Sequence, residues 1–359
     1  MKNENMKHQK LNNKKTVYRK WLPLLLVLSL GLLPVIGCGR QQEVMKPYTP
    51  SGYLAASARI ETAPVAEEQP QTVLNPFSAL CVPTYITKVE ENYFIVDCYN
   101  NQVIYNNNLN TPLPEWKVMT ADLSMGHTLA SDGLVYLIDD TENNRILIME
   151  KQTGAAGEAQ FIPTQEFLNI GTRPHYIIYD DKTDTFYAWS SSTGEMFLFR
   201  HPENDPTLYL TEIRSIESLK GVYVRSFTII GDEIYFVSGN NAILRADLKT
   251  FQILEEYPVP DQLAGMIQIT LIEDYYYITI STDAAGNQQY ATLIRTKDLH
   301  DLAAGNYEDI YHHFIGGGTP YYISAIDGKW FMTEHRIPGH SIWSFDVTDN
   351  NITNVTAIY

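Results

Sequence analysis

The fold of this chain is decided by a stretch of alternating character, His127-Thr-Leu-Ala-Ser-Asp-Gly-Leu-Val-Tyr-Leu-Ile-Asp139. A mostly apolar segment leads into a tight turn that contains Asp132 and Gly133, and a segment rich in apolar and aromatic residues follows. Turn residues of this kind between two such segments are typical of a β-hairpin. A polar turn and a third apolar segment come next, so the stretch predicts three consecutive antiparallel strands.

The same pattern occurs six times along the chain. Its copies begin at residues 85, 127, 175, 225, 268 and 322, roughly 42 to 54 residues apart, and a four-stranded propeller blade needs ~40–50 residues. Third strands are predicted at 102–105, 145–149, 196–200, 242–246, 290–295 and 341–347. Because a single blade cannot bury both of its faces, blades must stack in a ring. We therefore predict an all-β, six-bladed β-propeller over residues 80–359, with a seventh blade assembled partly from the preceding segment as the alternative.

Two of the copies carry a more specific signal. The segment Val135-Tyr-Leu-Ile-Asp-Asp-Thr-Glu-Asn-Asn-Arg-Ile-Leu-Ile148 resembles the NHL repeat, and Phe94-Ile-Val-Asp-Cys-Tyr-Asn-Asn-Gln-Val-Ile104 is a second copy. In both, a short loop with Asn and Asp turns the chain, because these residues hydrogen-bond the backbone and tolerate left-handed geometry. The other four blades depart from this pattern. The resemblance implies a propeller fold and leaves the function open, since such propellers include binding scaffolds, lyases and hydrolases.

The N-terminus has the character of an export signal. Residues 1–20 carry seven Lys or Arg residues, and the apolar run Trp21–Gly37 is shorter than the ~20 residues of a comfortable membrane span. The end of that run, Val35-Ile36-Gly37-Cys38, resembles the lipobox of bacterial lipoproteins. The resemblance implies removal of residues 1–37 and a lipid on the sulfur of Cys38 with fatty acyl chains such as palmitate. An uncleaved anchor helix is the alternative.

The segment after the predicted cleavage site has no sustained strand or helix period. Residues 38–79 contain five prolines and several small residues, which favours an extended spacer. Within it, Gln71–Asn75 is a segment able to pair with a sheet edge. We therefore predict a signal peptide at 1–37, a lipidated tether at 38–79 and the propeller at 80–359. The protein is expected in the cell envelope, anchored to a membrane with the propeller facing outward.

The charge of the chain excludes one class of partner. The 359 residues hold 26 Lys and Arg against 42 Asp and Glu, a net charge of −16. Without the basic N-terminal segment the balance is 19 against 41, or −22. A protein this acidic lacks the positively charged surface that nucleic-acid binding requires. We expect no nucleic-acid partner, and instead an anionic small molecule, a glycan or an envelope protein.

Polar residues at the starts of the innermost strands suggest a ligand site at one mouth of the central channel. The predicted ring consists of Tyr85, His127, His175, Arg225, Gln268 and Tyr322. Two imidazoles and a guanidinium on consecutive blades suit an anionic or carbonyl-bearing ligand, and unperturbed histidines would strengthen its binding from pH 8 to pH 6. Bracing of neighbouring blades is the alternative role for this ring.

Metal chemistry has weaker support in the sequence. The ring resembles the zinc channel of the peptidyl-hydroxyglycine lyases only loosely, because it holds two histidines and catalytic zinc usually has three protein ligands. An acidic turn at residues 180–184 offers oxygen atoms of the kind that Ca²⁺ prefers. We predict no cofactor and no metal, with Zn or Ca kept as alternatives.

Two cysteines remain once Cys38 is assigned to the lipid. Cys81 and Cys98 form an even pair in an exported chain, which favours a disulfide. The hairpin register places Cys98 opposite Tyr85, four residues from Cys81, which favours two separate thiols because bridged Cα atoms must lie within ~7 Å. Both alternatives stay open.

The sequence therefore supports three functional classes. The first is an outward-facing lipoprotein whose propeller binds a ligand or partner at the channel mouth. The second is a propeller lyase or hydrolase that uses the channel residues His127 and His175. The third is a structural member of an envelope complex.

Overall fold

The alternating segments of residues 83–357 form six antiparallel sheets of four strands, each built from consecutive strands. The computed structural model describes residues 61–64, 72–154 and 157–359. Residues 1–60, which include the predicted signal segment, the lipobox-like run and Cys38, lie outside the described residues, as do residues 65–71. In the described part, none of the helices has the length and apolar character needed to cross a bilayer.

The six sheets are the blades of a β-propeller, preceded by strand β1 (Glu61–Pro64). Blade I contains β2 (Pro83–Val89), β3 (Asn92–Asp97), β4 (Gln102–Asn106) and β5 (Lys117–Thr120). Blade II contains β6 (Leu129–Ser131), β7 (Val135–Asp140), β8 (Arg145–Thr153) and β9 (Ala159–Leu168). Blade III contains β10 (Pro174–Asp180), β11 (Thr185–Ser190), β12 (Glu195–Arg200) and β13 (Tyr209–Ser215).

The remaining three blades follow in the same order around the ring. Blade IV contains β14 (Val224–Ile230), β15 (Glu233–Ser238), β16 (Ala242–Asp247) and β17 (Ile253–Pro258). Blade V contains β18 (Met266–Ile272), β19 (Tyr275–Ile280), β20 (Thr292–Thr296) and the two-residue β21 (Glu308–Asp309). Blade VI contains β22 (Thr319–Ile326), β23 (Lys329–His335), β24 (Ile342–Thr348) and β25 (Asn351–Ala357).

Helical structure in the described residues consists of short 3-10 helices in the connections. These are Cys98–Asn100, Leu113–Glu115, Thr141–Asn143, Glu217–Leu219, Asp261–Leu263, Gln288–Tyr290, Leu299–Ala304 and Tyr311–His313. The all-β, six-bladed prediction is confirmed, and each predicted third strand overlaps the observed one. Blade-forming strands come from residue 83 onward, so the seventh-blade alternative is wrong for the described residues.

Two segments ahead of blade I extend existing sheets. Strand β1 pairs antiparallel with β9 and makes blade II five-stranded. Further along, the backbone N–H of Val118 donates to the carbonyl of Val73 at 2.8 Å, and Asn75 N–H donates to the carbonyl of Trp116 at 2.8 Å. The outer edge of blade I is thereby paired by part of the segment Gln71–Asn75 that the sequence had marked for this role. Covering an exposed strand edge removes a site for unwanted pairing.

The hydrophobic core is divided among the six interfaces between neighbouring blades. Each second strand contributes one buried aromatic residue at the same register position, and the set is Phe94, Tyr136, Tyr187, Tyr235, Tyr277 and Phe331. These rings pack in apolar clusters, most of which draw residues from two adjacent blades. Since no blade buries both faces alone, the ring is stabilised mainly by these interfaces.

Side chains of the first and second strands also join the blades beside the channel. The Gln268 amide donates to the Ile323 carbonyl at 3.1 Å, and its oxygen accepts from the Ile323 N–H at 2.6 Å. Between blades VI and I, the Thr333 hydroxyl donates to the Thr84 carbonyl at 2.7 Å. These contacts pair backbone groups that the free edge of each innermost strand would otherwise leave unsatisfied.

The ring closes without an exchanged strand, through contacts between blades I and VI. The rings of Trp116 and Tyr359 pack in a T-shaped arrangement, with centroids 5.9 Å apart and planes inclined by 81°. The Trp116 indole N–H donates to the Tyr359 hydroxyl at 3.0 Å, and that hydroxyl lies 2.9 Å from the carbonyl of Thr111. Trp116 is fully buried. The last residue of the chain is therefore anchored in the first blade.

Candidate functional site in the central channel

Irregular pairing at the start of the innermost strands sets which side chains enter the channel. In five of the blades the register between first and second strands shifts there, by a bulge that involves Thr84, His175, Arg225–Ser226, Ile267 or Tyr321–Tyr322. A bulge redirects side chains relative to a regular strand. Three of the predicted ring residues, His175, Arg225 and Tyr322, lie in such a bulge.

The two predicted histidines meet face to face. The ring centroids of His127 and His175 are 3.7 Å apart and their planes are inclined by 26°. Their exposed fractions are 6% and 1%. The convergence expected from their positions on adjacent blades is therefore present, but both imidazoles are buried below the channel mouth.

The hydrogen bonds around this pair assign the tautomer of each ring. The Tyr322 hydroxyl donates to the carbonyl of Arg225 at 3.3 Å, so it accepts from His175 Nδ1 at 3.0 Å. The Thr141 hydroxyl donates to the Pro174 carbonyl or to Asp139, and so accepts from His127 Nδ1 at 2.9 Å. Both rings therefore carry their proton on Nδ1 and leave Nε2 as an acceptor.

The electrostatic surroundings keep His175 uncharged. Burial, reinforced by the neighbouring His127 and Arg225, holds the pKa of His175 well below its usual value. Its charge therefore does not change between pH 6 and pH 8. The expected strengthening of anion binding from pH 8 to pH 6 required unperturbed histidines, a condition that His175 does not meet because its ring is buried.

Arg225 lies at the end of the channel where the innermost strands begin. Its guanidinium donates to the Ser281 hydroxyl at 2.5 Å and lies 5.5 Å from the centre of the Tyr223 ring. His335 borders the same space: its ring is 6.3 Å from that of Tyr321, and burial together with the charges of Arg336 and Arg225 lowers its pKa to about 4. We call these residues, Tyr223, Arg225, Tyr321, His335 and Arg336, the upper mouth.

The other predicted ring residues lie deeper in the channel. The amide of Gln268 donates to the Tyr176 hydroxyl at 3.1 Å. Tyr85 and Tyr176 both contact the buried ring of Tyr322, with centroids 6.1 and 4.9 Å away. The residues predicted to form one ring therefore lie at two depths in the channel, with Tyr85 and Gln268 below the histidines. The bulges cause this difference, because they shift the blades out of a common register.

The channel widens below this second level into a cavity of about 370 Å³. All six blades contribute to its lining, which includes Tyr85, Tyr176, Gln268, Thr270 and Trp330. We call it the lower cavity. It lies toward the hairpins that join first and second strands, away from the upper mouth.

The cysteines are two separate thiols. Cys81 is exposed, whereas Cys98 is buried with its Sγ 3.8 Å from His127 Nε2. Because that nitrogen is an acceptor, the Cys98 thiol donates to it, and burial raises the thiol pKa. In the structure one side chain faces the channel, the other faces solvent, and both thiols are free.

The described residues contain no group of three or more His, Cys, Asp or Glu side chains able to hold a metal ion. Sequence reasoning missed Tyr176, Tyr321 and His335. The first two are each one residue away from a chosen position, an offset that the bulges produce and the sequence does not show. His335 is the last residue of β23 in blade VI, a position that the repeat pattern does not assign to the channel.

Comparisons with known proteins are consistent with the fold. No protein-family model matches this chain, and no curated protein sequence does. A catalytically inactive variant of virginiamycin B lyase from Staphylococcus aureus, solved with quinupristin, is 18% identical with a TM-score of 0.51, covering 83% of this chain and 89% of its own. A streptogramin B lyase structure is 16% identical with a TM-score of 0.50, covering 82% and 86%.

A third solved structure is a Bacteroides uniformis protein whose activity as a 6-phosphogluconolactonase is proposed. It is 12% identical with a TM-score of 0.54, covering 79% of this chain and 88% of its own. At these identities the likeness concerns the fold alone. By its described strands and by these comparisons, the chain is a six-bladed β-propeller.

Proposed function

We propose that this protein is a lipid-anchored, outward-facing binding protein whose propeller takes an anionic ligand at the upper mouth. The lipobox-like N-terminus supports the location. The observation that carries the binding proposal is which of the described arginines have a carboxylate partner. Most described arginines form ion pairs with carboxylates: Arg145, Arg173, Arg214, Arg245 and Arg295.

Arg225 and Arg336 differ from that set. In residues 72–154 and 157–359, neither has a carboxylate at ion-pair distance; Arg225 donates to Ser281, and Arg336 donates to Gln288 and to the carbonyl of Gly318. Arg336 directly follows His335, and the positive charges of Arg225 and Arg336 both contribute to the low pKa of His335. In a body of net charge −22, the Arg225 guanidinium, which has no carboxylate at ion-pair distance among the described residues, creates a local positive potential that selects a carboxylate or a similar anion.

Replacing Arg225 by Ala is expected to weaken binding of an anionic ligand about 10- to 100-fold, since a hydrogen bond to a charged group contributes about 1.5–3 kcal/mol. Arg225→Lys should retain part of the affinity, because the charge remains and the planar fork is lost. Isothermal titration calorimetry with citrate, glucuronate, phosphate and sulfate measures both effects.

Lys297→Ala is the matched control, because it removes an exposed positive charge that follows the third strand of blade V. It should bind as the parent does. Equal affinity of Arg225→Ala and the parent for every anion that binds would contradict the proposal. His175 and His335 add no pH dependence between pH 6 and 8; binding should strengthen only as pH falls toward 4, where His335 gains a proton.

The anchor makes a separate prediction. We expect the mature protein to lack residues 1–37 and to carry lipid on Cys38. More than one acyl chain on that lipid would make the membrane anchoring stable. Cys38→Ala should shift the protein from the membrane fraction to the soluble or unprocessed fraction, while Cys81→Ala, which removes the exposed thiol, should leave the distribution unchanged. Intact-mass spectrometry of the membrane-bound form tests this; a complete N-terminus there would refute it.

A lyase or hydrolase remains the second candidate. The observation in its favour is the uncharged imidazole of His335 beside the cation of Arg225, a base next to a group able to stabilise developing negative charge. His127 and His175, the residues first considered for this chemistry, are buried. Turnover of a bound anion that His335→Ala abolishes without loss of affinity would favour the enzyme. Absence of any small-molecule binding, with a partner captured by crosslinking, would favour the structural role.

A further inference from the structure

The lower cavity is a second candidate site at the opposite end of the channel from the upper mouth. Its volume of about 370 Å³ falls in the range of ~300–1,000 Å³ typical of small-molecule sites. A layer of buried rings separates it from the histidine pair: Tyr322, 1% exposed, contacts both Tyr85 and Tyr176. Neither histidine of the stacked pair lines the cavity.

The lining carries almost no charge. Its single Lys or Arg is Lys88, whose ammonium pairs with the carboxylate of Asp327 at 2.5 Å and lies over the ring of Tyr93. Among the described residues, no Asp or Glu lines the cavity, although the chain has 42 acidic residues. A charged ligand would lose its hydration here without gaining a counter-charge, which is costly. The cavity therefore favours an uncharged ligand.

The lining is nevertheless rich in hydrogen-bonding groups. The Tyr176 hydroxyl accepts from Gln268 at 3.1 Å, and its own proton meets no acceptor among the described residues. The half-buried Thr270 has no hydrogen-bond partner for its side-chain hydroxyl in the same set. The Thr228 hydroxyl donates to the carbonyl of Ile269, and the lone pairs of its oxygen remain able to accept a hydrogen bond. Donors and acceptors are thus distributed around the wall.

Aromatic faces alternate with these hydroxyl groups. Trp330, Tyr85, Tyr179 and Phe227 all line the cavity. A sugar ring offers hydroxyl groups at its edge and C–H groups on its faces, so it matches a wall that combines hydroxyl groups with flat apolar rings. We propose that the lower cavity binds an uncharged carbohydrate of one or two rings. This proposal is independent of the anion site at the upper mouth.

The test uses glucose, maltose, cellobiose and N-acetylglucosamine, with glucuronate and glucosamine as charged counterparts of glucose. Isothermal titration calorimetry is carried out on the propeller with concentrations up to about 10 mM, a range that detects weak binding. At least one neutral sugar should bind saturably. Glucosamine should bind more weakly than the neutral sugars, because its charge has no partner in the lining.

Tyr176→Phe and Thr270→Val remove one hydroxyl each and keep the shape. Each should weaken neutral-sugar binding up to about tenfold, the effect of one lost hydrogen bond. Tyr235→Phe, outside the lining and bonded to Glu233, is the matched control and should change nothing, as should Arg225→Ala.

Two results would overturn the proposal: no neutral sugar of the panel binds, or sugar binding is lost in Arg225→Ala and unchanged in Tyr176→Phe. The second result would place the sugar at the upper mouth. Loss of anion binding in Arg225→Ala with intact sugar binding separates the two sites, so failure of one proposal is distinguishable from failure of the other.

Discussion

Replacing Asp139 by Ala is expected to lower the free energy of unfolding by about 3–5 kcal/mol, since hydrogen bonds to a charged group contribute about 1.5–3 kcal/mol each. The Asp139 carboxylate is fully buried and accepts from the backbone N–H groups of His127 at 3.0 Å and Thr128 at 2.6 Å. It also accepts from the hydroxyls of Thr128 and Thr141, at 2.7 and 2.9 Å. Alanine would leave the two backbone N–H groups and the Thr128 hydroxyl buried without this acceptor, whereas the Thr141 hydroxyl would keep the Pro174 carbonyl.

Urea unfolding at neutral pH measures this change. Asp139→Asn should lose less than Asp139→Ala, because the amide oxygen keeps an acceptor for the backbone. Asp181→Ala, at an exposed position, is the matched control and should stay within about 0.5 kcal/mol of the parent. A loss below about 1 kcal/mol for Asp139→Ala would show that water replaces the carboxylate.

Trp116→Ala is the second substitution with a large expected effect, about 3–5 kcal/mol, the usual cost of deleting a fully buried tryptophan side chain. Trp116 packs in the cluster between blades VI and I and binds the Tyr359 hydroxyl through its indole N–H. Because the ring has no exchanged strand, this contact joins the two ends of the propeller. Loss of this contact should destabilise the interface between blades VI and I.

A double-mutant cycle with Tyr359→Ala separates closure from simple packing. If Trp116 and Tyr359 act together, their coupling energy should fall within about 0.5–3 kcal/mol. The pair Trp116→Ala and Tyr257→Ala is the control, because Tyr257 belongs to the cluster between blades IV and V. Additivity of the Trp116 and Tyr359 effects would contradict a role in closure.

The candidate site was accessible to sequence reasoning only in part. The placement of His127 and His175 on adjacent blades follows from the spacing of the repeats, and their rings do meet at 3.7 Å. Their burial does not follow from it. The sequence likewise could not show that Gln268 lies deeper in the channel than the histidines, because a bulge adds a residue to the strand without changing its apolar pattern.

The protonation states and the lower cavity were also beyond the sequence. The low pKa of His175 results from burial and from the nearby His127 and Arg225, which lie 48 and 50 residues away in the chain. The hydrogen bond between Gln268 and Tyr176 joins blades V and III across the channel. Neither contact has a local signature.

By itself, the sequence determined the strands, the turns and the number of blades. These depend on local physics: side chains alternate with a period of two, and Gly, Asn and Asp allow the turns between strands. Only the tertiary structure decided the depth of each ring residue, the placement of the Cys81 and Cys98 side chains and the division of the channel into an upper mouth and a lower cavity. Those properties depend on how six blades pack around one axis, and each blade contributes only a few of the side chains that meet there.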